Sequence, residues 1–194
     1  MRIVTKDQSK NIDKISIENY NISQNSLMTA AANGIVSQIE IYSSTKNKKP
    51  SILIICGKGN NGGDSICAAS MLYKKGYDLH VHFLTEKNEI KGLPKIYYEE
   101  YVKLSNQVSF GLGFQIFNGF DLLIDGIIGV GFRGVLDNNL VNWIKWINTS
   151  DMYVVSVDIP SGLNADNGIA SPVAVKANST ITFGYSKIGL HIAD

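Results

Sequence analysis

Residues 51–64 read SILIICGKGNNGGD, and this stretch decides the fold. The first six residues form a short apolar run, which is typical of a strand buried on both faces of a parallel sheet. Four glycines follow within residues 57–63, where they permit positive φ angles and a close approach of the backbone to a ligand. Residues 64–76 then carry alanine, methionine and leucine on a helical pattern. The stretch therefore predicts a buried strand, a glycine-rich loop and a crossover helix.

Strand and helix patterns continue to alternate downstream. Strands are predicted at residues 78–84, 121–125, 152–158 and 179–183, with helices at 95–104 and 138–147 and a poorly defined stretch before residue 121. Two helices precede the first strand, one over residues 5–20 and one that Ser26 caps and that runs through Ile39. The pattern predicts an α/β fold: a single Rossmann-like, doubly wound, mostly parallel sheet with two leading N-terminal helices, in one domain over residues 1–194.

Composition and charge restrict the class of partner. The 194 residues carry a formal net charge of +1, which gives no field that would attract nucleic acid or an anionic membrane surface. No signal peptide precedes the helices, and no apolar run approaches the roughly 18 residues of a membrane span, so a cytoplasmic protein is predicted. Cys56 and Cys67 form no metal-binding pair and are predicted to pack as small apolar residues.

The first of three unusual loops is the glycine-rich one after the first predicted strand. In doubly wound folds, ligands bind in the crevice beyond the carboxyl ends of the strands, so such loops are the first place to seek a site. The loop contains GxGxxG but no following Gly-Lys-Ser/Thr, so it is not a P-loop. Amide groups at the start of the next helix are predicted to hold a phosphate.

The second and third loops follow later strands. Residues 125–135 read DGIIGVGFRGV and offer another backbone nest for anionic oxygens, with Arg133 as either a bidentate phosphate ligand or a solvated surface residue. Asp137 or Asn138 is predicted to cap the next helix. Residues 157–168 read VDIPSGLNADNG, and Asp158 leaves an apolar strand there. Partial removal of its carboxyl group from water suits an acid/base role, although such a residue can also simply brace a turn.

Hard oxygen ligands occur in all three loops. Asn61, Asp125 and Ser161 provide an amide, a carboxylate and a hydroxyl group, which suit a hard cation better than zinc. Because the set carries only one negative charge, a monovalent ion such as K⁺ is favoured over a divalent one.

Taken together, GKGNNGGD, DGIIGVGFRG and VDIPSGLNADNG resemble the three motifs of the NAD(P)H-hydrate epimerase family, also known as the YjeF N-terminal domain. The resemblance covers residues 4–190 and implies interconversion of the R and S forms of hydrated NADH and NADPH (NADHX and NADPHX). It implies one K⁺ per subunit on Asn61, Asp125 and Ser161. The implied substrate-binding residues are Asn60, Asn61, Gly62, Gly63, Asp64, Gly129, Val130, Gly131, Phe132, Arg133, Gly134, Val135 and Asp158.

The chemistry that the resemblance implies requires a proton shuttle. The hydroxyl group at C6 of the nicotinamide ring either leaves with help from the ring nitrogen or inverts through ring opening, and neither route needs a redox step. Asp158 is the predicted catalytic acid/base, with Asp64 as the second candidate. The family pattern also implies a homodimer and, as pathway partner, a separate ADP- or ATP-dependent NAD(P)HX dehydratase.

Two alternatives stay open. The family usually has Met-Glu-Asn-Ala-Gly in the second helix, whereas residues 28–32 read MTAAA, so a non-catalytic nucleotide-binding or scaffold homologue is one alternative. The other is an NAD-dependent oxidoreductase, for which Glu86 would be the ribose-binding acid after the second strand. His80 and His82 lie on one face of that strand and are predicted to pack or to meet solvent.

Overall fold

The computed structural model describes residues 2–132 and 135–193. Its main sheet consists of the strands β2 (Ile52–Cys56), β3 (Leu79–Phe83), β4 (Val108–Phe110), β5 (Leu122–Gly126), β6 (Tyr153–Val157) and β7 (Ser179–Ile181). All six are parallel, in the order β4-β3-β2-β5-β6-β7. Counted from the first of these strands, this is the 3-2-1-4-5-6 order of doubly wound dinucleotide-binding folds. The predicted fold class is confirmed.

Helices cover both faces of this sheet. They are α1 (Lys6–Tyr20), α2 (Gln24–Ser44), α3 (Asn60–Lys74), α4 (Gly92–Tyr101), α5 (Asn138–Thr149) and the short α6 (Gly189–Ile192). Successive side chains of β2 point to opposite faces: Ile52 and Ile54 pack under α2, α3 and α4, whereas Leu53 and Ile55 pack under α5. Both faces are therefore buried, which explains the unbroken apolar run in the sequence. Asp137 is the N-cap of α5 and accepts the Leu140 N–H at 2.9 Å.

Three predicted helix starts were wrong, including that of α4, which begins at Gly92 and not at residue 95. Helix α3 begins at Asn60, four residues before the predicted start, so most of the predicted loop is its first turn. A Cβ atom at Gly62 would lie 1.9 Å from the carbonyl oxygen of Gly57, so close backbone packing fixes this turn despite the poor helix propensity of its residues. Helix α2 begins after Ser23, whose hydroxyl accepts the Ser26 N–H at 3.0 Å, so Ser23 and not Ser26 is the cap.

The chain also forms a second, smaller sheet that the sequence patterns missed. Its strands β1 (Ile3–Val4) and β8 (Ser186–Lys187) pair in parallel, so residues from the two ends of the described chain lie side by side. Each strand is only two residues long, which is too short for a recognisable alternation.

The stretch before residue 121, for which the sequence patterns provide no clear prediction, contains the edge strand β4 and an aromatic segment around Phe117 that covers β3. His80 and His82 project from β3 towards this segment, and the His82 ring lies 5.0 Å from that of Trp143 and 5.2 Å from that of Phe117. Burial lowers the pKa of His82 to about 4. Both histidines therefore pack, and both cysteines are buried and unpaired as predicted.

Within the described residues, no helix combines the length and the apolar character needed to cross a membrane. The cytoplasmic location stays a prediction.

Candidate active site at the carboxyl ends of the strands

The three predicted loops meet at one edge of the sheet. The Gly57 N–H donates to the Gly126 carbonyl oxygen at 3.0 Å and so joins the loops after β2 and β5. The loops after β5 and β6 are joined in turn, because the Ile128 N–H donates to the Ser161 hydroxyl at 2.9 Å. A longer bond of 3.4 Å runs from the Val130 N–H to the Asp158 carboxylate. The parallel strand order makes this meeting possible, since the carboxyl ends of β2, β5 and β6 lie next to one another.

The first turn of α3 contains five of the predicted binding residues. Asn61, Gly62 and Gly63 are buried, Asp64 is half-buried and Asn60 is exposed. Gly59 is the N-cap and supplies no side-chain bond to the first amide groups of the helix. Those amides lie at the positive end of the helix dipole, an arrangement that suits a phosphate oxygen.

The second loop is less enclosed. Gly129 and Val130 are half-buried, whereas Gly131, Phe132 and Val135 are exposed. Arg133 and Gly134, both predicted as binding residues, lie outside the described residues. Lys6, at the start of α1, donates its ammonium group to the Phe132 carbonyl oxygen at 2.6 Å and its N–H to the Asp166 carboxylate at 2.7 Å. The leading helix is thus attached to both the second and the third loop.

Asp158 occupies an unusual position at the end of β6. Its φ is +66°, in the left-handed region that few residues other than glycine adopt, and only 9% of the residue is exposed. The carboxylate pairs with the ammonium group of Lys187 at 2.5 Å. Strained backbone of this kind persists where the surrounding structure holds it, and it is concentrated at functional sites.

Lys187 is a site residue that the sequence did not reveal. It lies on β8, is 1% exposed, and also donates to the Thr182 hydroxyl and the Phe183 carbonyl oxygen, each at 3.0 Å. These three partners satisfy its three donors, so the buried charge is fully compensated. One lysine in a lysine-rich chain gives no signal in the sequence, because it reaches Asp158 only through the pairing of β8 with β1.

Asp64 lies close enough to Asp158 for the two carboxyl groups to affect each other. Burial raises the pKa of Asp64 to about 8, and repulsion from Asp158 and then Asp13 adds to the effect. Asp13, on α1, was also missed by the sequence. Its residue surface is largely exposed, yet partial burial of the carboxyl group raises its pKa, Asp158 raises it further and Lys187 opposes both.

The two candidate acids therefore lie in contrasting environments. Asp64 retains its proton, because its pKa of about 8 lies above the ambient pH. The Asp158 carboxylate pairs with the Lys187 ammonium group at 2.5 Å. A carboxyl group with a raised pKa beside one that forms an ion pair offers a proton donor and a proton acceptor in one site.

The predicted cation ligands also lie around this edge. Asp125 is fully buried and accepts hydrogen bonds from the Ser156 hydroxyl at 2.7 Å and from the N–H and hydroxyl of Ser161 at 2.9 and 2.5 Å. Burial raises the pKa of Asp125, and these bonds oppose the rise. In the part of the chain that the structure describes, no cationic side chain lies within 4.0 Å of its carboxylate.

The side-chain amide of Asn61 gives a second observation that bears on a cation site. Its Nδ2 atom is buried and makes no hydrogen bond to a described residue. Amide oxygen and nitrogen are distinguished only by their partners, so the reverse orientation would place an acceptor at that point. Asn61 flanks Gly129, next to the turn that Ser161 anchors. The oxygen set therefore fits a monovalent cation.

A cavity of about 850 Å³ at the opposite edge of the sheet contains none of the predicted site residues. Its charged side chains are two lysines, Lys46 and Lys48, and two aspartates, Asp121 and Asp151. With no net charge and no link to the three loops, it provides no chemistry for this site.

Comparison with known families accounts for the arrangement of motifs. The sequence profile described as "YjeF-related protein N-terminus" matches residues 24–189, which include all three loops. The chain belongs to this family. As a YjeF-related protein, it is 33% identical over 190 residues to "NAD(P)H-hydrate epimerase" of Leuconostoc citreum (strain KM20), covering 98% of this chain and 83% of that protein.

A second relative differs from this YjeF-related protein in length, and a solved structure shares its fold at low sequence identity. The "Bifunctional NAD(P)H-hydrate repair enzyme Nnr" of Moorella thermoacetica is 32% identical over 197 residues, which cover 98% of this chain but 37% of that enzyme. The crystal structure of yeast ynu0 superimposes with a TM-score of 0.85 at 18% identity, covering 100% of this chain and 85% of that one. The latter supports the fold alone.

Proposed function

We propose that this protein is an NAD(P)H-hydrate epimerase, which interconverts the R and S epimers of NADHX and NADPHX during repair of these cofactors. One observation carries the proposal beyond family membership. Asp64, whose pKa is raised to about 8, and Asp158, which is paired with Lys187, lie where the three loops meet. Epimerisation at C6 needs a proton donor and a proton acceptor, and the site holds one of each.

Substrate binding is assigned to the first two loops. The first-turn N–H groups of α3, from Asn60 to Gly62, would donate hydrogen bonds to the phosphate oxygens, whereas the Gly63 N–H already donates to the Gly59 carbonyl oxygen. Gly129 and Val130 border the same space from the β5 loop. This placement would bring the hydrated nicotinamide ring towards Asp158, where positioning alone contributes to the rate.

The proton chemistry follows from the two carboxyl groups. Asp64 donates its proton to the C6 hydroxyl, the C6–O bond breaks with help from the nitrogen lone pair, and water leaves. Water then adds to the other face of C6 while Asp158 accepts the proton that it loses. One proton leaves Asp64 and one is taken up by Asp158, so a proton must return from Asp158 to Asp64 through water before the next turnover, and no oxidant or reductant is needed. Lys187 positions Asp158 through their ion pair.

We also propose that Asn61, Asp125 and Ser161 hold one K⁺ per subunit. Among the described residues, the buried Asp125 carboxylate has no cationic side chain within 4.0 Å and the buried Asn61 Nδ2 atom has no hydrogen-bond partner, and both observations support this site. Bound K⁺ would offset the charge of Asp125 and tie the three loops together. Thermal unfolding in matched KCl and choline chloride solutions tests it without an activity readout: we expect a higher Tm in KCl, lost in Asp125→Asn. An equal Tm in both salts would contradict the assignment.

The experiment that tests the epimerase couples it to a dehydratase specific for the S epimer. R-NADHX or R-NADPHX is supplied with the dehydratase and its nucleotide cofactor, and recovery of NAD(P)H is recorded with and without this protein. We expect recovery above the spontaneous rate. Asp158→Asn should lower the rate at least 100-fold, the usual contribution of a positioned acid or base.

Asp151→Asn is the matched control, because Asp151 is an exposed carboxylate at the opposite edge of the sheet. It should keep the full rate. Normal epimerisation by a folded Asp158→Asn variant would contradict the catalytic role of Asp158. A wild-type protein that is stabilised by NAD(P)HX but gives no acceleration would favour the non-catalytic nucleotide-binding alternative.

A homodimer is proposed as the working assembly. Helix α1 buries none of its 15 residues, and an isolated helix of this length is marginal in water. It exposes 38% of Ile15 and 73% of Tyr20, so a second copy would cover apolar surface there. Light scattering should give twice the monomer mass, and Ile15→Lys should shift it towards the monomer. A monomeric wild-type protein would contradict this assignment.

A further inference from the structure

A groove lies beside the glycine-rich turn, beyond the carboxyl end of β3. It has a volume of about 460 Å³ and is lined by Lys58, Asn88, Glu89 and Lys91. Lys58 lies between two glycines of the first loop, so the groove continues directly from the turn assigned to the phosphates. None of the four residues has a role in the epimerisation described above.

Glu89 has little remaining capacity to accept a ligand hydroxyl group. Its carboxylate accepts the Thr85 hydroxyl at 2.6 Å, the Lys58 ammonium group at 3.1 Å and the Glu86 N–H at 3.2 Å. These bonds, led by that from Thr85, lower the pKa of Glu89 to about 2, so the group is ionised. Glu89 therefore fixes Lys58 at the rim of the groove.

Lys91 gives the groove its net charge. Among the described residues, it has no acidic group within 4.0 Å, whereas Lys58 is paired with Glu89. Two cationic side chains thus face one anionic side chain. Lysine serves as a point charge for phosphate, so the groove favours an anionic group over a neutral hydroxyl.

The strand order places the groove where the adenosine end of a bound dinucleotide would lie. From β6, which Asp158 follows directly, the order runs through β5 and β2 to β3, that is, three strand spacings or about 14 Å. A dinucleotide with its phosphates on the first turn of α3 extends in both directions from there. In doubly wound folds, residues after the second strand contact the adenosine ribose.

We propose that this groove binds the 2′-phosphate of the adenosine ribose through Lys91 and Lys58, so that the protein prefers NADPHX to NADHX. The inference rests on the proposed function for its substrate. Glu86, the sequence-based candidate for a ribose-binding acid, is exposed and does not line the groove, whereas Glu89 does.

Calorimetric titration of the full chain with NADP⁺ and NAD⁺ tests the preference without catalysis. These two probes differ only in the 2′-phosphate. We expect NADP⁺ to bind about tenfold more tightly in low salt, with a smaller ratio at high salt because exposed charges are screened. Lys91→Ala should weaken NADP⁺ binding towards that of NAD⁺ and leave NAD⁺ binding unchanged. Lys95→Ala, which removes an exposed lysine paired with Glu99, is the matched control.

A second measurement separates the groove from the epimerase. The ratio of kcat/KM for NADPHX over NADHX should fall about tenfold in Lys91→Ala. Equal affinities for NADP⁺ and NAD⁺, or an equal loss of affinity for both in Lys91→Ala, would overturn the proposed 2′-phosphate site and leave the proposed epimerase activity unaffected. Preference for NADP⁺ in a protein without epimerase activity would overturn only the proposed function. Absence of binding by both probes would overturn the groove as a dinucleotide subsite.

Discussion

Replacement of Asp64 by Asn should remove a destabilisation that grows with pH. The carboxyl group has an ordinary pKa of 3.8 in the unfolded chain and about 8 in the folded protein, mainly because it is withdrawn from water. The folded state therefore holds this proton more tightly than the unfolded state. Its contribution to stability is complete below pH 3.8 and is lost as the pH rises through about 8.

The size of the effect follows from that shift. Each pH unit between the two pKa values changes the free energy of unfolding by about 1.4 kcal/mol, so the interval from pH 5 to pH 8 has a ceiling of about 4 kcal/mol. Asp158 and Asp13 share the repulsion and can relax when Asp64 ionises. We therefore expect wild type to lose about 2–4 kcal/mol relative to Asp64→Asn over this interval.

Urea unfolding followed by far-ultraviolet circular dichroism at pH 5 and pH 8 measures the difference. Comparison of wild type with Asp64→Asn cancels the groups that titrate in both proteins. Asp151→Asn should follow wild type, because its carboxyl group is exposed at the other edge of the sheet. A gap between wild type and Asp64→Asn that is the same at both pH values would refute the raised pKa and with it the role of Asp64 as proton donor.

Three further perturbations test other parts of the structure. Lys187→Met leaves the Asp158 carboxylate buried without its partner and should lower the free energy of unfolding in urea by about 3–5 kcal/mol. Much of this stability should be recovered in the double variant that also carries Asp158→Asn, whereas additive losses would contradict the pairing. Gly62→Ala would place Cβ 1.9 Å from a backbone oxygen and should prevent or severely weaken folding, whereas Gly59→Ala has open space; similar melting curves would contradict the tight turn. The pKa of His82 is lowered to about 4, so the free energy of unfolding of wild type should fall by about 2 kcal/mol relative to that of His82→Gln between pH 6.5 and pH 4. Stability curves that run parallel for the two proteins over this pH range would contradict the lowered pKa.

The sheet was predictable because its strands carry strong local signals. The β2 run is apolar at every position, since both faces are buried, and the following loops are marked by glycines and isolated acids. Parallel pairing then brings the loops together, so a motif list and one topological rule were sufficient to place Asp125, Asp158 and Ser161 at one edge.

What could not be predicted depends on contacts between distant segments. The start of α3 at Asn60 is set by packing of Gly62 on Gly57, which overrides local propensity. Lys187 lies on the two-residue strand β8, which has no recognisable pattern, and Asp13 lies on a predicted helix whose packing against the site depends on tertiary contacts. Residues of this kind are found only when the tertiary structure brings their segments together.

The pairing of β1 with β8 has a consequence for the order in which the protein folds. Almost the entire chain separates the two strands, so their contact has one of the highest loop-closure costs in the molecule and offers only two residues on each side in return. The main sheet, whose neighbouring strands are mostly close in sequence, should form first. Lys187 should then reach Asp158 only at the last step, and a nascent or partly folded chain would have the glycine loops without the ion pair at Asp158. Acquisition of activity during refolding should therefore lag behind acquisition of secondary structure.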